Sequence, residues 1–505
     1  MSTIYPVSYK GDFINGRFVP ATKGDGEFKD ISPADLNDLV MAVPFKHDHI
    51  DEACVAAKQA YPAWARLSVD ERRGYLMRLK ELFDSHVDQM AQLIARDTGK
   101  PLWDATTEAK ALGAKIDITL NHSIKLVAEE HIPNALPQVE GVIRYRSRGV
   151  MAVVGPFNFP AHLPNGHIIP ALISGNTVVF KPSEQTPAVG QLMAELYEKA
   201  QLPPGVFNLV QGDGAAGGRL VANEHVDGIL FTGSYEVGLK IKQETLTHYW
   251  KILALEMGGK NATVVWDDAD MDKAIYETLI GAYMTSGQRC SGTSRVIVHP
   301  KIADEFTERF YQAAKKLSVG HWSENTFMGT LINEGAVEKY IRFQEIANRE
   351  NCESLMRGKS LDNLKHKGHY VTPSIHLVKK FDPNSVYQKS EIFGPNVAIY
   401  QSDNFDDTMR IVNSTGYGLV MALFSKNREL YEEALLKARV GLLNWNRTTN
   451  GASSRLPFGG MGKSGNDRAS AHFAIQYCTV PVASLEDPTP FDPTKVLPGM
   501  NLDMK

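Results

Sequence analysis

Cysteine is scarce in this chain of 505 residues: there are four, Cys54, Cys290, Cys352 and Cys478. No two form a CxxC pair and none joins a His/Cys cluster at zinc spacing. That excludes a disulfide framework and a metal site, and leaves free thiols suited to a reducing compartment. Charge of one sign is also lacking. Lys and Arg number 54 against 58 Asp and Glu, a formal charge of -4, so nothing in the balance draws in DNA, RNA or an anionic membrane. A phosphate-bearing ligand would have to be held locally. No apolar run reaches the ~18 residues of a spanning helix, and the opening "MSTIYPVSYKGDFING" has no basic segment ahead of an apolar one. These absences predict a cytoplasmic, unexported protein.

What is present reads as an α/β protein of more than one domain. The chain is too long for a single core, and its composition, 43% hydrophobic and 22% charged, is that of a globular protein. "DFINGRFV" carries Asn15-Gly16 between alternating residues and predicts a hairpin. "DEACVAAKQAYPAWARL" and "SVDERRGYLMRLKELFDSHVDQMAQLIARDTGK" have helical spacing, the second with Ser68 and Glu71 as a capping box. From about residue 150 short apolar runs alternate with helical ones: "GVMAVVG", "NTVVFK", "VFNLVQG", "GILFTGS". This texture predicts a parallel, doubly wound sheet. "ATVVWDD", "SRVIVHP" and "GLVMALFS" predict a second unit beyond a border near residue 257.

Several short stretches could carry chemistry, and each has a bland alternative. "GILFTGSYEVGLK" runs from strand through Gly233 and Ser234 to a helix containing Gly238, a place for a pyrophosphate or an ordinary tight turn. "FKPSEQTP" puts Lys181 and Glu184 after a strand, where they could hold a ribose or face solvent; a glutamate there would also repel a 2′-phosphate and favour NAD over NADP. "ALEMGGK" places Glu256 among apolar neighbours, as a general base with a raised pKa or as a structural carboxylate. "GPFNFPAHLPNGH" fixes Asn158 in a rigid turn, as an oxyanion donor requires. His162 and His167 in the same stretch have no further ligands at metal spacing. "GQRCSG" sets Cys290 beside Arg289, which could favour a thiolate, although free cysteines are commonly buried bystanders.

Taken in order, "PFNFP", "KPSE", "FTGS", "LEMGGK", "GQRC", "EIFGP" and "PFGGMGKSG" resemble the aldehyde dehydrogenase superfamily over nearly the whole chain. The resemblance implies a Rossmann-like NAD-binding domain (1–132 and 150–257), an α/β catalytic domain (258–470) and a small β extension for oligomerisation (133–149 and 471–487), with a C-terminal tail at 488–505. A homodimer or homotetramer is implied. Cys290 would be the nucleophile, Asn158 with the Cys290 N–H the oxyanion site, and Glu256 the base. Lys181 and Glu184 would meet the adenosine ribose, Gly233 to Gly238 the pyrophosphate, and Glu391 and Phe393 the nicotinamide end.

Within the superfamily, "GPFNFPAHLPNGHIIPAL" and "NWNRTTNGASSRLPFGGMGKSGNDRAS" resemble the enzymes that oxidise N-succinylglutamate 5-semialdehyde with NAD in arginine catabolism. Such a substrate needs polar, anion-binding groups. His162, Asn165 and Gly166 fall at i, i+3 and i+4 on one helical face. Gly451, Ala452 and Ser453 form a loop whose N–H groups could make an anion nest. Ser291 matches a serine that follows the nucleophile in the related glutamate semialdehyde dehydrogenases, and Arg447 or Arg455 could meet a carboxylate. Glutamate semialdehyde is therefore the alternative substrate. The glutamate at 256 favours hydrolysis over acyl transfer to coenzyme A, and the retained Cys290, Glu256 and Asn158 argue against a non-catalytic relative.

Overall fold

The apolar runs quoted above become the strands of two largely parallel sheets in the computed structural model, which describes residues 6–466, 468–493, 496–500 and 502. The first sheet has the spatial order Ile252–Met257, Gly228–Gly233, Val150–Val154, Thr177–Lys181 and Phe207–Leu209, all parallel. The hairpin Asp12–Ile14 and Arg17–Val19 closes its far edge antiparallel, with Asn15 and Gly16 both at positive φ in the turn. Strand order reverses between Val150–Val154 and Gly228–Gly233. Open parallel sheets bind ligands at such a crevice, beyond the carboxyl ends of the strands.

The second sheet runs Glu353–Met356, Ser374–Leu377, Asn396–Gln401, Thr293–Val298, Asn261–Val265, Val420–Phe424 and Leu442–Trp445, antiparallel only at its first pair. Its central strands, such as Asn261–Val265 and Val420–Phe424, are buried throughout. Strands covered on both faces are read in sequence as continuous apolar runs rather than alternation.

A separate antiparallel sheet joins Glu130–Leu136, Val139–Ser147 and Thr479–Glu486. It differs from the expected extension at two places. The hairpin starts at Glu130, three residues before 133, and residues 471–478 do not belong to the arm: Ala474, Ile475 and Cys478 are buried in the main core. The second long helix is also two helices. Val69–Ser85 opens with the Ser68/Glu71 capping box, both bonds formed, and Val87–Thr98 follows after His86, whose φ of -112° and ψ of 19° break the spiral. The His86 ring bonds the Leu82 carbonyl at 2.8 Å, a local competitor for the next helical turn. Among the described residues no helix is long and apolar enough to cross a membrane.

Candidate active site

Glu256 lies on the edge strand Ile252–Met257, and that edge is covered by the "MGKSGN" segment. Met257 N–H donates to Ser464 O at 3.1 Å, Asn466 N–H to Leu255 O at 3.2 Å, and Leu255 N–H to Asn466 Oδ1 at 2.8 Å. Gly465 sits at φ 132°, and a Cβ there would stand 2.1 Å from Leu255 O, so only glycine allows the approach. Thus the glycine-rich motif near the end of the chain seals the strand that carries Glu256.

Under this cover Glu256 is fully buried, and both its oxygens lack a close hydrogen-bond donor among the described residues. Burial pushes its pKa up to about 8; the neighbouring Cys290 thiol opposes the shift and Glu391 adds to it. The thiol stands beside the carboxylate but outside good hydrogen-bond geometry. A carboxyl with this pKa can take and return a proton near neutrality.

Cys290 comes from the other sheet, on the turn before Thr293–Val298. Asn261 Nδ2 donates to its carbonyl at 2.7 Å and to Gly292 O at 3.0 Å, which ties the turn to the start of a central strand. The side chain packs beside Leu419, Val420, Phe458 and Ala471. Burial raises the thiol pKa well above its ordinary value, and Glu256 and Glu391 push in the same direction. The expected help from Arg289 is not found. Its guanidinium pairs with Asp104 at 2.9 Å and its Nε donates to Thr285 Oγ1 at 2.8 Å, so its charge is spent away from the sulfur. The group beside the thiol that can accept its proton is the Glu256 carboxyl.

Asn158 is nearly buried and donates one amide N–H to Gln288 O at 2.9 Å, which brings the "PFNFP" turn against the loop that carries Cys290. Its second amide hydrogen remains for an oxyanion.

Asn158, Glu256 and Cys290 line one cleft of about 790 Å³ together with Lys181, Glu184, Gly233, Ser234, Glu391 and Phe393. Its size is that of a cofactor site. The cleft fits a dinucleotide. Gly214 and Gly218 face it, and a Cβ on either would meet nothing within 4 Å. Lys181 Nζ lies 3.6 Å from Glu184 at one end, and the helix Tyr235–Glu244 begins at the rim with Ser234 as its N-cap. Gly238 stands apart from the cleft lining. It is a packing glycine, since a Cβ there would lie 2.2 Å from Met257 Sδ. At the other end Glu391 Oε1 accepts from Gly259 N–H at 2.8 Å, and burial lifts its pKa to about 7. Phe393, at φ 60°, meets Phe157 edge to face with centroids 5.9 Å apart.

The expected substrate residues scatter. His162 is half-buried, its Nδ1 has no hydrogen-bond partner among the described residues, and burial together with the charges of Lys115, Lys100 and Arg289 lowers its pKa to about 4. Asn165, expected on the same face, is fully buried with its amide on Leu112 O at 3.2 Å, so it faces a neighbouring helix. Beside Gly166 there is room, the nearest atom to an added Cβ being Ser470 Oγ at 3.7 Å. Ser291 Oγ donates to Asn450 Oδ1 at 2.8 Å. The anion nest at 451–453 is corrected in part: Gly451 N–H already donates to Thr448 O and Ala452 N–H to Asn450 O, and Ser453 Oγ accepts from Arg455 N–H at 3.3 Å. Arg447 and Arg455 are exposed.

A buried carboxylate shared between a thiol and the end of a dinucleotide-sized cleft, on paired parallel sheets, defines an aldehyde dehydrogenase. The chain belongs to the aldehyde dehydrogenase family, whose model matches residues 18–482. It is 40% identical over 460 residues, 90% of this chain and 92% of the relative, to the N-succinylglutamate 5-semialdehyde dehydrogenase of Acinetobacter baylyi. Its identity to the protein of that name in Escherichia coli K12 is 39% over 455 residues, covering 90% and 91% of the two chains. Among solved structures, an NAD-dependent aldehyde dehydrogenase from Sinorhizobium meliloti matches with a TM-score of 0.91 and 27% identity, over 97% of this chain and 96% of that one.

Proposed function

We propose that this chain oxidises N-succinyl-L-glutamate 5-semialdehyde to N-succinyl-L-glutamate through a thioester on Cys290, with NAD as the electron acceptor. The observation that carries the chemistry is the convergence of Cys290, Glu256 and Asn158 on one cleft from separate elements. The substrate rests on the likeness to relatives of that name over nine-tenths of the chain.

Glu256 takes the Cys290 proton, and the thiolate adds to the aldehyde carbon. Asn158 Nδ2 and the Cys290 N–H hold the oxyanion that forms. Lys181, Glu184, Gly233, Ser234, Glu391 and Phe393 would hold NAD, which would supply the acceptor for the hydride that leaves the carbon. Glu256 releases that proton to solvent and then takes one from water as its oxygen attacks the thioester. The C–S bond breaks, the acid departs, and the thiol regains a proton. His162 and Ser291 serve the substrate, and we assign no such role to Asn165. The three-stranded sheet at 130–147 and 479–486 pairs copies of the chain into a homodimer or homotetramer, and the enzyme works in the cytoplasm.

The test compares kcat/KM, from NADH formation, for N-succinylglutamate semialdehyde, glutamate semialdehyde, succinate semialdehyde and an alkyl aldehyde, with Cys290→Ala alongside. The succinylated substrate is expected to win by about a hundredfold, or roughly 2.7 kcal/mol of discrimination, and the variant to be inactive. A lead for glutamate semialdehyde would transfer the assignment to that substrate, and a flat profile would remove both. Added coenzyme A should leave the rate unchanged.

A further inference from the structure

The helix Leu102–Asn121 lies outside every motif above, yet its first two turns grip both halves of the site. Asp104 is 1% exposed. Its Oδ2 accepts from Thr285 Oγ1 at 2.6 Å and its Oδ1 from the Arg289 guanidinium at 2.9 Å, and Arg289 Nε closes the ring by donating to Thr285 Oγ1 at 2.8 Å. Thr285, Ser286 and Gly287 have φ of 55°, 53° and 71°, three left-handed residues in a row ahead of Gln288 and Cys290. A β-branched residue is rarely found there and stays only where its surroundings hold it. The ring through Asp104 is that hold.

Glu108, one turn further, holds the facing turn. Its Oε1 accepts from the backbone N–H groups of Ala161 and His162 at 3.0 and 3.1 Å, and its Oε2 from Lys100 Nζ at 2.8 Å. Lys100 Nζ also donates to the carbonyl of Asn158 at 2.6 Å. Between the two grips lies the Phe159 ring, with Lys100 Nζ 4.0 Å and the Arg289 guanidinium carbon 4.8 Å from its centroid. We propose that Asp104 and Glu108, at i and i+4 on one helical face, are positioning residues that fix Cys290 relative to the Asn158 oxyanion donor. The inference rests on the thioester reading of Cys290.

Neither carboxylate lines the dinucleotide cleft, so their loss acts on the chemical step and spares cofactor binding. Asp104→Ala, Thr285→Ala and Glu108→Ala are each expected to lower kcat about a hundredfold, the scale of an ångström of misplacement, with the dissociation constant for NADH within twofold of the parent. Asp104→Asn keeps an acceptor for Thr285 and recovers part of the loss, which a merely structural role would not produce. Rates are scaled to folded protein by circular dichroism. If Asp104→Ala does not fold, Thr285→Ala and Asp104→Asn decide. A fall in kcat of less than tenfold in Thr285→Ala overturns the proposal, as does a parallel weakening of NADH binding. Cys290→Ala separates the two ideas: an active Cys290→Ala removes the nucleophile itself, while an inactive one beside a near-normal Thr285→Ala removes the positioning alone.

Discussion

Glu256 binds its proton more tightly in the folded chain than in the unfolded one, its pKa moving from 4.5 to about 8. The stability linked to that proton is whole below about pH 4.5 and is lost as pH rises through about 8. Glu256→Gln is therefore expected to melt at a higher temperature than the parent at pH 8, with the gap closing toward pH 5. A gap independent of pH would show that the carboxyl titrates normally. The same substitution removes the base, so steady turnover should fall roughly 10²–10⁴-fold, and the parent's turnover should rise with pH toward about 8. The proposed selectivity involves another carboxylate: Glu184→Ser is expected to narrow the preference for NAD over NADP about tenfold in kcat/KM, the scale of one lost charge repulsion. An unchanged ratio would place the selection elsewhere.

At the scale of elements, legibility followed distance along the chain. Strands buried on both faces, the Asn15-Gly16 hairpin and the Ser68/Glu71 cap were all readable, because each depends on residues a few positions apart. Cys290, Glu256 and Asn158 were readable as candidates because they stand in motifs. The pairings were not. Asp104 and Glu108 stand in none of the motifs, and nothing near them marks Arg289, 185 residues on, as the partner of Asp104. The thiolate once credited to Arg289 failed for this reason. Asn165 failed for another: periodicity puts it on one face with His162 but does not say which neighbour that face meets. Gly238 shows an element-level constraint with a cost that can be measured. Gly238→Val forces Tyr235–Glu244 away from Met257, overpacking worth ~1–3 kcal/mol, so the KM for NAD should rise roughly tenfold or more while the aldehyde KM holds. An unchanged KM for NAD would mean the helix start is unimportant to cofactor binding.

For the whole molecule the arm is the informative part. Ile132, Leu136 and Leu485 are 41%, 49% and 60% exposed on a three-stranded sheet whose outer strands pair with no further strand among the described residues. Apolar side chains beside an unpaired edge favour association. Leu136→Lys with Leu485→Lys should shift sedimentation toward the monomer without abolishing the 340 nm activity. A parent chain that already sediments as a monomer would end the proposal of assembly through this sheet.

The distribution of sulfur has a use of its own. Cys54, Cys352 and Cys478 are buried, and Cys290 alone is partly open. A small electrophile added to the native enzyme thus has a single target per chain, so the mass added at complete inactivation should equal one adduct. Lost activity and bound label become the same count, and a preparation can be assayed for competent sites by weighing it.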